Sequence, residues 1–514
     1  MKLDTELSNR MKQLGIDVER SSHILDRLNA GAYDGIEDVH ASGIPEIDGE
    51  RILDRTQPVS LTVDNQTYLN RLMEIASEIP AGAFGTVDGD TRHLTQRDLR
   101  TLGVLLYPYV SYGVLNGGSA SSYGDQKKNQ SFDSTLFHLY NDEFAAIAPE
   151  VSGKPKGITP AYINPDGSMG ASFLELKFRM ILRAEAEYHR TAREFGITPP
   201  RSTSGDILRP AMPMVEMTSL FTEEAIRETY RSYAESPFLA SFDRGSVTAA
   251  LTTESAVQPL LAAMTHSSEG RPRQFFTAAY GKSGEPLGIP GGHGQNFQVL
   301  RPVYERIHRA GKRLVYIGNV DNVGFTMDPV SIALVLLKNA EGGFDFAFRT
   351  PVDIKGGVLL YDQTGGLNCA DIGPAISEDA VFAAEAEGKQ ILFNCATGLF
   401  NLDYLVPRLS EIVENLPVRI SDQDKDAGRY SQAEQVTWEI IGMMDDMLIF
   451  GIDKYQRFLA AKMLLDMFLT SGLRREEARE AQPTVDNLAD GLAAVLRREY
   501  GVVMDGERWV PDGA

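Results

Sequence analysis

The sequence predicts an α/β protein with a mixed, mostly parallel sheet, helices on both of its faces, and helical segments at the N- and C-terminal ends. Three observations lead there. In the middle of the chain, short apolar runs alternate with longer amphipathic runs, the pattern of strands separated by helices. Several of these apolar runs end in clusters of glycine and polar residues, as strand ends facing a ligand do. The apolar residues near both termini instead recur at helical spacing.

In chain order, Leu7, Met11, Leu14 and Ile16 predict one amphipathic helix within residues 1–30. Residues 31–65, with Gly, Pro and Asp at many positions, read as loop. Helices follow over Gln66–Ile79, which Pro80-Ala81-Gly82 ends, and over Thr95–Leu105. Val110–Leu115 can form a strand. Phe173–Phe195 is a long helix with Leu174, Phe178 and Ile181 on one face, stopped by Gly196 and Pro199-Pro200. A strand at Met214–Met217 leads to a helix at Thr222–Tyr233, and a helix at Val299–Ala310 leads to a strand at Arg313–Ile317. Phe344, Phe346 and Phe348 alternate as in a half-buried strand. Val358–Tyr361 and Gln390–Phe393 are further strands, and Leu402–Leu416 is a helix. Beyond residue 420 the pattern predicts three helices: Ala433–Met447, Lys454–Leu469 and Val485–Tyr500. The division is an N-terminal helical segment (1–95), a central α/β domain (96–419) and a helical C-terminal region (420–514).

Composition narrows the function. The 514 residues are 43% hydrophobic and 24% charged, which supports a packed core. A net charge of −21 without a basic tract argues against nucleic acid or an anionic membrane as partner. Cys369 and Cys395 are too few for a disulfide framework, and the chain opens without an apolar leader. A reduced, cytoplasmic protein is expected. The apolar run Ile332–Leu337 is far too short to span a bilayer.

The chemistry concentrates in five loops. Leu115-Asn116-Gly117-Gly118-Ser119 continues through Gly124 to Lys127-Lys128. Glycines allow a close backbone approach, successive N–H groups can point at one anion, and a lysine adds a full positive charge, so this loop suggests a phosphate cradle. It matches neither GxxxxGK[ST] nor GxGxxG. The other loops are Pro290-Gly291-Gly292-His293-Gly294, Gly318-Asn319-Val320-Asp321-Asn322-Val323-Gly324, Asp353-Ile354-Lys355-Gly356-Gly357 and Phe393-Asn394-Cys395-Ala396-Thr397. Each alone is an ordinary turn; together, at the strand ends of one sheet, they indicate a site.

In order and rough spacing these loops resemble the UDP-glucose pyrophosphorylase (UTP–sugar-1-phosphate uridylyltransferase) family. That family carries L-N-G-G-L-G-T-S-M-G ending in P-K, then P-P-G-H-G, N-x-D-N-L-G, D-V-K-G-G, F-N-x-N and R-F-x-P-V-K. Arg457-Phe458 with Lys462 matches the last, and Met217-Thr218-Ser219 is similar to the family's M-N/T-S. The resemblance covers residues 113–466. It departs at Ser119-Ala120, where the family has L-G, at Phe325, where it has alanine, and in lacking a proline before Lys127-Lys128. The family's uracil-reading glutamine, in F-x-Q, falls at Phe242-Asp243-Arg244.

The resemblance implies a Rossmann-like nucleotidyltransferase (GT-A-like) fold and an enzyme that joins UTP and a sugar 1-phosphate, most simply glucose 1-phosphate, into UDP-sugar and pyrophosphate. It implies nucleotide contacts from Leu115, Asn116, Gly117, Gly118, Thr218 and Gly292. Lys128 or Lys127 would lie on the triphosphate, with Lys425 a second phosphate-binding lysine. His293, Asn319, Lys355, Gly356, Asp371, Asn394 and Lys462 would contact the sugar phosphate or its hydroxyls, and Asp321 would ligate Mg²⁺. Two alternatives stand beside this: an N-acetylhexosamine-1-phosphate uridylyltransferase, and a nucleotide-sugar-binding protein without catalysis. The C-terminus lacks the glycine-spaced short strands of the family's β-helix.

Overall fold

A computed structural model describes residues 4–34, 39–119, 123–350, 353 and 356–512. Its centre is a ten-stranded sheet. The strands are β1 (Ile52–Asp54), β2 (Val110–Leu115), β3 (Val215–Ser219), β4 (Glu254–Gln258), β5 (Leu314–Asn319), β6 (Gly342–Phe348), β7 (Gly357–Tyr361), β8 (Leu367–Asp371), β9 (Leu392–Asn401) and β10 (Met447–Ile452). The order is β1-β10-β6-β9-β5-β2-β3-β4, with β7 on β9 and β8 on β7. Strands β5, β2, β3 and β4 are parallel neighbours, as are β1, β10 and β6. Only β9 runs antiparallel within the eight-strand path, between β5 and β6.

Each face of the sheet carries its own core. Four helices recur below: α1 (Gln96–Leu105), α2 (Phe173–Glu194), α3 (Pro329–Lys338) and α4 (Val485–Arg498). All four pack on one face, over Tyr112, Val114, Tyr316 and Phe450. The opposite face is covered by helices Arg301–Ala310 and Leu402–Asn415, through Tyr304, Ile307, Leu405 and Leu409. Local chemistry sets the helix ends. Thr95 and Asp98 form a capping box at α1, and Ser172 caps α2 by accepting the Glu175 N–H. Where α1 crosses α3, Gly103 is required, because a Cβ there would lie 1.7 Å from the Pro329 carbonyl oxygen.

Several elements differ from expectation. The single N-terminal helix is two, Thr5–Gln13 and Val18–Asn29, separated at Gly15, whose φ is +75°. The loop expected over 31–65 contains β1 and a short strand, Leu61–Asp64. The phenylalanine strand β6 is buried on both faces except at Phe348, because it lies inside the sheet. The largest correction concerns Ala433–Met447. Those residues finish a strand (Gly428–Glu434), form a 3-10 turn (Thr437–Met443) and enter β10. A short apolar run has no periodicity that separates a buried strand from a buried helix. Trp438, Ile440 and Ile441 spend their apolar surface against the sheet instead. The helix expected at Lys454–Leu469 is likewise two pieces, Lys454–Arg457 and Leu464–Ser471, with residues 458–463 outside any helix between them. The segments flanking 96–419 thus each lend a strand to the central sheet. The C-terminal end holds Leu464–Ser471, Arg475–Ala481, α4 and a hairpin of Val502–Asp505 with Arg508–Pro511.

Candidate active site

The parallel strands β5, β2, β3 and β4 end together. Asn319 lies opposite Leu115, Leu115 opposite Met217, and Met217 opposite Ala256. Beyond these carboxyl ends opens a cavity of about 430 Å³, lined by Leu115, Gly117, Gly118, Ser119, Lys156, Gln258, Gly292, His293, Asn319 and Asp321, among others. Open α/β sheets bind ligands at this edge.

The loop after β2 is braced from beneath. Asn116 is fully buried; its Nδ2 donates to Glu216 Oε1 at 2.7 Å, and its Oδ1 accepts the Gly157 N–H at 3.2 Å. Burial raises the Glu216 carboxyl to about 7, while the bonds from Asn116 and Tyr230 oppose the shift. A Cβ at Gly157 would sit 2.5 Å from Asn116 Oδ1, so glycine is needed there. Asn116 therefore shapes the loop, and Gly117 and Gly118 present backbone to the cavity. Thr218 is also buried, its hydroxyl donating to Glu223, so it supports the floor without lining it.

The cavity's charge comes from a pair. Lys156 Nζ donates to Asp321 Oδ2 and lies 5.4 Å from the Tyr123 ring centroid. The Lys156 backbone N–H also donates to the Gly118 carbonyl at 3.1 Å, tying this lysine to the glycine loop. Lys127 and Lys128 lie elsewhere, on the short helix Gln126–Phe132, and neither lines the cavity. Pro155-Lys156 is thus a proline–lysine pair at the cavity, bonded to the glycine loop, whereas no proline precedes Lys127-Lys128. Three helical segments, Gln126–Phe132, Ser134–Leu139 and Asn141–Val151, separate it from the glycines, and that insertion hides it from a spacing argument. The P-K dipeptide itself was the available signal.

Gln258, at the end of β4, is the second residue that sequence reasoning missed. Its Nε2 donates to the Gly292 carbonyl at 2.8 Å and to Gln295 Oε1 at 2.7 Å. Gln295 Oε1 also accepts the Gly291 N–H, which fixes the orientation of both amides. Gln258 Oε1 consequently faces Gly117, where a Cβ would approach it to 3.2 Å. Phe242, the position first aligned with a glutamine, lines a different cavity.

His293 is positioned by Thr437, whose backbone N–H donates to Nδ1 at 3.1 Å. With Nδ1 accepting, the proton of the neutral ring resides on Nε2. Burial lowers this imidazole from 6.5 to about 4. Because the depressed value belongs to the folded state, the associated stability is complete above pH 6.5 and is lost as pH falls through 4. Denaturant unfolding at pH 7 and pH 4 should show wild type losing up to about 3 kcal/mol more than His293→Gln. Equal losses in the two proteins would refute the assignment.

The turn that carries Asp321 is held by buried cations. Lys177 of α2 donates to the carbonyls of Asn322 (2.6 Å) and Phe325 (2.7 Å) and to Tyr500 Oη (3.2 Å). Burial, and then Arg457, pull this ammonium well below the ordinary lysine value. Arg457 donates to Asp345 Oδ2 at 2.9 Å and to the Tyr316 hydroxyl at 2.7 Å, and its own carbonyl accepts the Asn322 amide.

The remaining candidates fall into three groups. Asp371, on β8, accepts from Arg419 at 3.2 Å, and Asn394 lies at the start of β9, where Oδ1 accepts the Ala396 N–H. Lys462 lines a separate cavity of about 380 Å³ with Asp353 and Lys454. Gly356, with φ +133°, sits where a Cβ would meet the Phe393 ring at 2.5 Å. None of these four lines the main cavity, and neither does Lys425, exposed beside the turn of the hairpin Arg419–Lys425/Gly428–Glu434. Lys355 lies outside the described residues.

Asp321 is the only carboxylate among the described cavity-lining residues, and no group of three metal-ligating side chains occurs among the described residues. The donor set fits a hard cation that takes most of its ligands from substrate phosphates rather than an all-protein cage.

Residues 278–487 match the family model of UTP–glucose-1-phosphate uridylyltransferase. A probable UTP–glucose-1-phosphate uridylyltransferase of Schizosaccharomyces pombe is 27% identical over 128 residues, which is 24% of this chain and 24% of that protein. The match therefore spans about a quarter of the curated relative's length. Among solved structures, a mutant UDP-glucose pyrophosphorylase from Leishmania major superposes with TM-score 0.55 at 13% identity, covering 91% of this chain and 79% of the other. A UDP-glucose phosphorylase from Trypanosoma brucei gives 0.54 at 18% identity, covering 90% and 77%. A second Leishmania major mutant, in complex with UDP-glucose, gives 0.52 at 14% identity, covering 99% and 83%.

Proposed function

We propose that this chain, a divergent member of the UTP–glucose-1-phosphate uridylyltransferase family, transfers a uridylyl group from UTP to a sugar 1-phosphate. The observation that carries the reading is the Lys156–Asp321 pair, bonded to the glycine loop at the shared end of four parallel strands. Gln258 supports a uridine nucleotide, because its free Oε1 accepts, and uracil offers an imide N–H where cytosine has only a ring acceptor.

In the reaction an oxygen of the sugar 1-phosphate attacks the α-phosphorus of UTP. The bond from that phosphorus to the bridging oxygen breaks, and pyrophosphate leaves. The protein's part is positioning and neutralisation of charge. Lys156 offers its ammonium to the phosphate oxygens, the N–H groups of Gly117 and Gly118 approach the nucleotide, and His293 offers Nε2–H. Asn319 and Gly292 complete the lining. Asp371, Asn394 and Lys462 lie outside this cavity and take no part in the step, and glucose 1-phosphate is the simplest acceptor. A Mg²⁺ held by Asp321 and the substrate phosphates would supply further charge neutralisation. No helix among the described residues is long and apolar enough to cross a membrane, and Cys369 and Cys395 are buried and free, which suits a cytoplasmic enzyme.

The test is pyrophosphate release across a grid of nucleoside triphosphates and sugar 1-phosphates with Mg²⁺. UTP with glucose 1-phosphate should give the highest kcat/KM, and no turnover with any pair would sink the reading. In the same assay Asp321→Asn should lower kcat by about 100-fold or more, because the variant loses the carboxylate that would hold a charge-neutralising Mg²⁺ on the substrate phosphates. An unchanged Mg²⁺ dependence in that variant would remove Asp321 from the metal.

A further inference from the structure

A second cavity, of about 320 Å³, lies on the helical face of the sheet among α1, α2 and α4. Its charged lining is Arg100, Arg183, Arg190 and Arg498 against Glu187 and Glu499, an excess of two positive charges in a chain whose net charge is −21. Its floor is apolar, built from Tyr107, Met180, Phe242 and Met327. The catalytic reading uses none of these residues.

The arginines are placed by the fold. Arg183, Glu187 and Arg190 recur at i, i+4 and i+7 on one face of α2. Arg183 lies across Gly501, whose φ is +56°, where a Cβ would fall 1.9 Å from its Nη1. Its nearest carboxylate is Asp512, at 3.6 Å, which Arg179 also binds at 2.9 Å. Arg100 pairs with Glu187 at 3.0 Å, and Arg498 pairs with Glu499 while reaching Gln456 Oε1 at 2.7 Å. Arg190 makes no ion pair among the described residues. Four guanidinium groups lining one cavity beside apolar side chains suit a phosphate group borne on a carbon skeleton.

We propose that this cavity is a second binding site, for a small organic phosphate, separate from the active site. It is tied mechanically to the catalytic turn. Tyr500, next to Glu499, donates its hydroxyl to the Val323 carbonyl and accepts from Lys177, and α2 carries both Lys177 and the arginines. The existence of the site does not rest on the uridylyl-transfer reading.

The experiment is equilibrium binding of inorganic phosphate and of glucose 6-phosphate to the full chain, to Lys156→Ala, and to the double variant Arg190→Ala/Arg498→Ala. Both substituted arginines are exposed, so the double variant should keep the wild-type Tm. Saturable binding that persists in Lys156→Ala and weakens at least tenfold in the double variant is expected, with glucose 6-phosphate the tighter probe. Loss of binding in Lys156→Ala, wild-type binding in the double variant, or no saturable binding of either probe would overturn the site. Equal affinity for the two probes would overturn the role given to the apolar floor.

Discussion

Replacing Lys156 by alanine should lower the rate of pyrophosphate release by about 100- to 1000-fold, roughly 2.7–4 kcal/mol of barrier. The ammonium is the Lys or Arg cation among the described cavity-lining residues, and it stands directly against Asp321. Its loss removes charge from the phosphates and leaves the Asp321 carboxylate uncompensated where negative substrate must enter. KM for UTP should rise as well, since the repulsion acts before the transition state. Lys127→Ala and Lys128→Ala, on an exposed helix outside the cavity, should each change the rate less than about tenfold. If either of those substitutions costs more than Lys156→Ala, the lysine assignment is wrong.

Lys177→Met should be the most damaging substitution for stability. Methionine keeps much of the apolar stem but leaves the carbonyls of Asn322 and Phe325 buried without their donor. Each buried, unsatisfied group costs about 1–3 kcal/mol, so the pair should cost about 2–6 kcal/mol. Equilibrium unfolding in denaturant would show this as a lower midpoint with an unchanged slope. Tyr500→Phe removes only the hydroxyl that links Lys177 to the Val323 carbonyl, and should cost about 1 kcal/mol. Because Asp321 precedes Asn322 on the same turn, Lys177→Met should also reduce turnover under conditions where it remains folded. A midpoint equal to wild type would show that the buried ammonium does not hold the turn.

Much of the central fold is legible without coordinates. The run Val110–Leu115 followed by glycines, the helix Phe173–Phe195 stopped by Gly196 and the strand before Gly318-Asn319 are all local signals, and each appears close to its expected bounds. The cavity's glycines, His293, Asn319 and Asp321 were readable for the same reason: each belongs to a short loop whose residue types state their chemistry. The stretch around Ala433–Met447 was not readable. Its apolar residues are used by the sheet and not by a helix of their own, and only neighbouring strands distinguish those outcomes. Nor was the split at residues 458–463, where Val323 donates to the Leu459 carbonyl across a long sequence separation.

Residues adjacent along the chain are enough to show that polar and glycine-rich loops follow short apolar strands and that their motifs resemble those of a uridylyltransferase family. Tertiary structure alone decided which lysine and which glutamine enter the cavity. Lys127 and Lys128 are nearer the glycines along the chain, yet three helical segments carry them away and return Pro155-Lys156 to Gly118. Gln258 reaches Gly117 only because β3 lies between β2 and β4 in a parallel sheet that ends on one edge. Loop chemistry depends on residues adjacent in sequence and can be read from them. The charge that completes a site depends on pairing across the sheet, which chain spacing does not encode once an insertion intervenes.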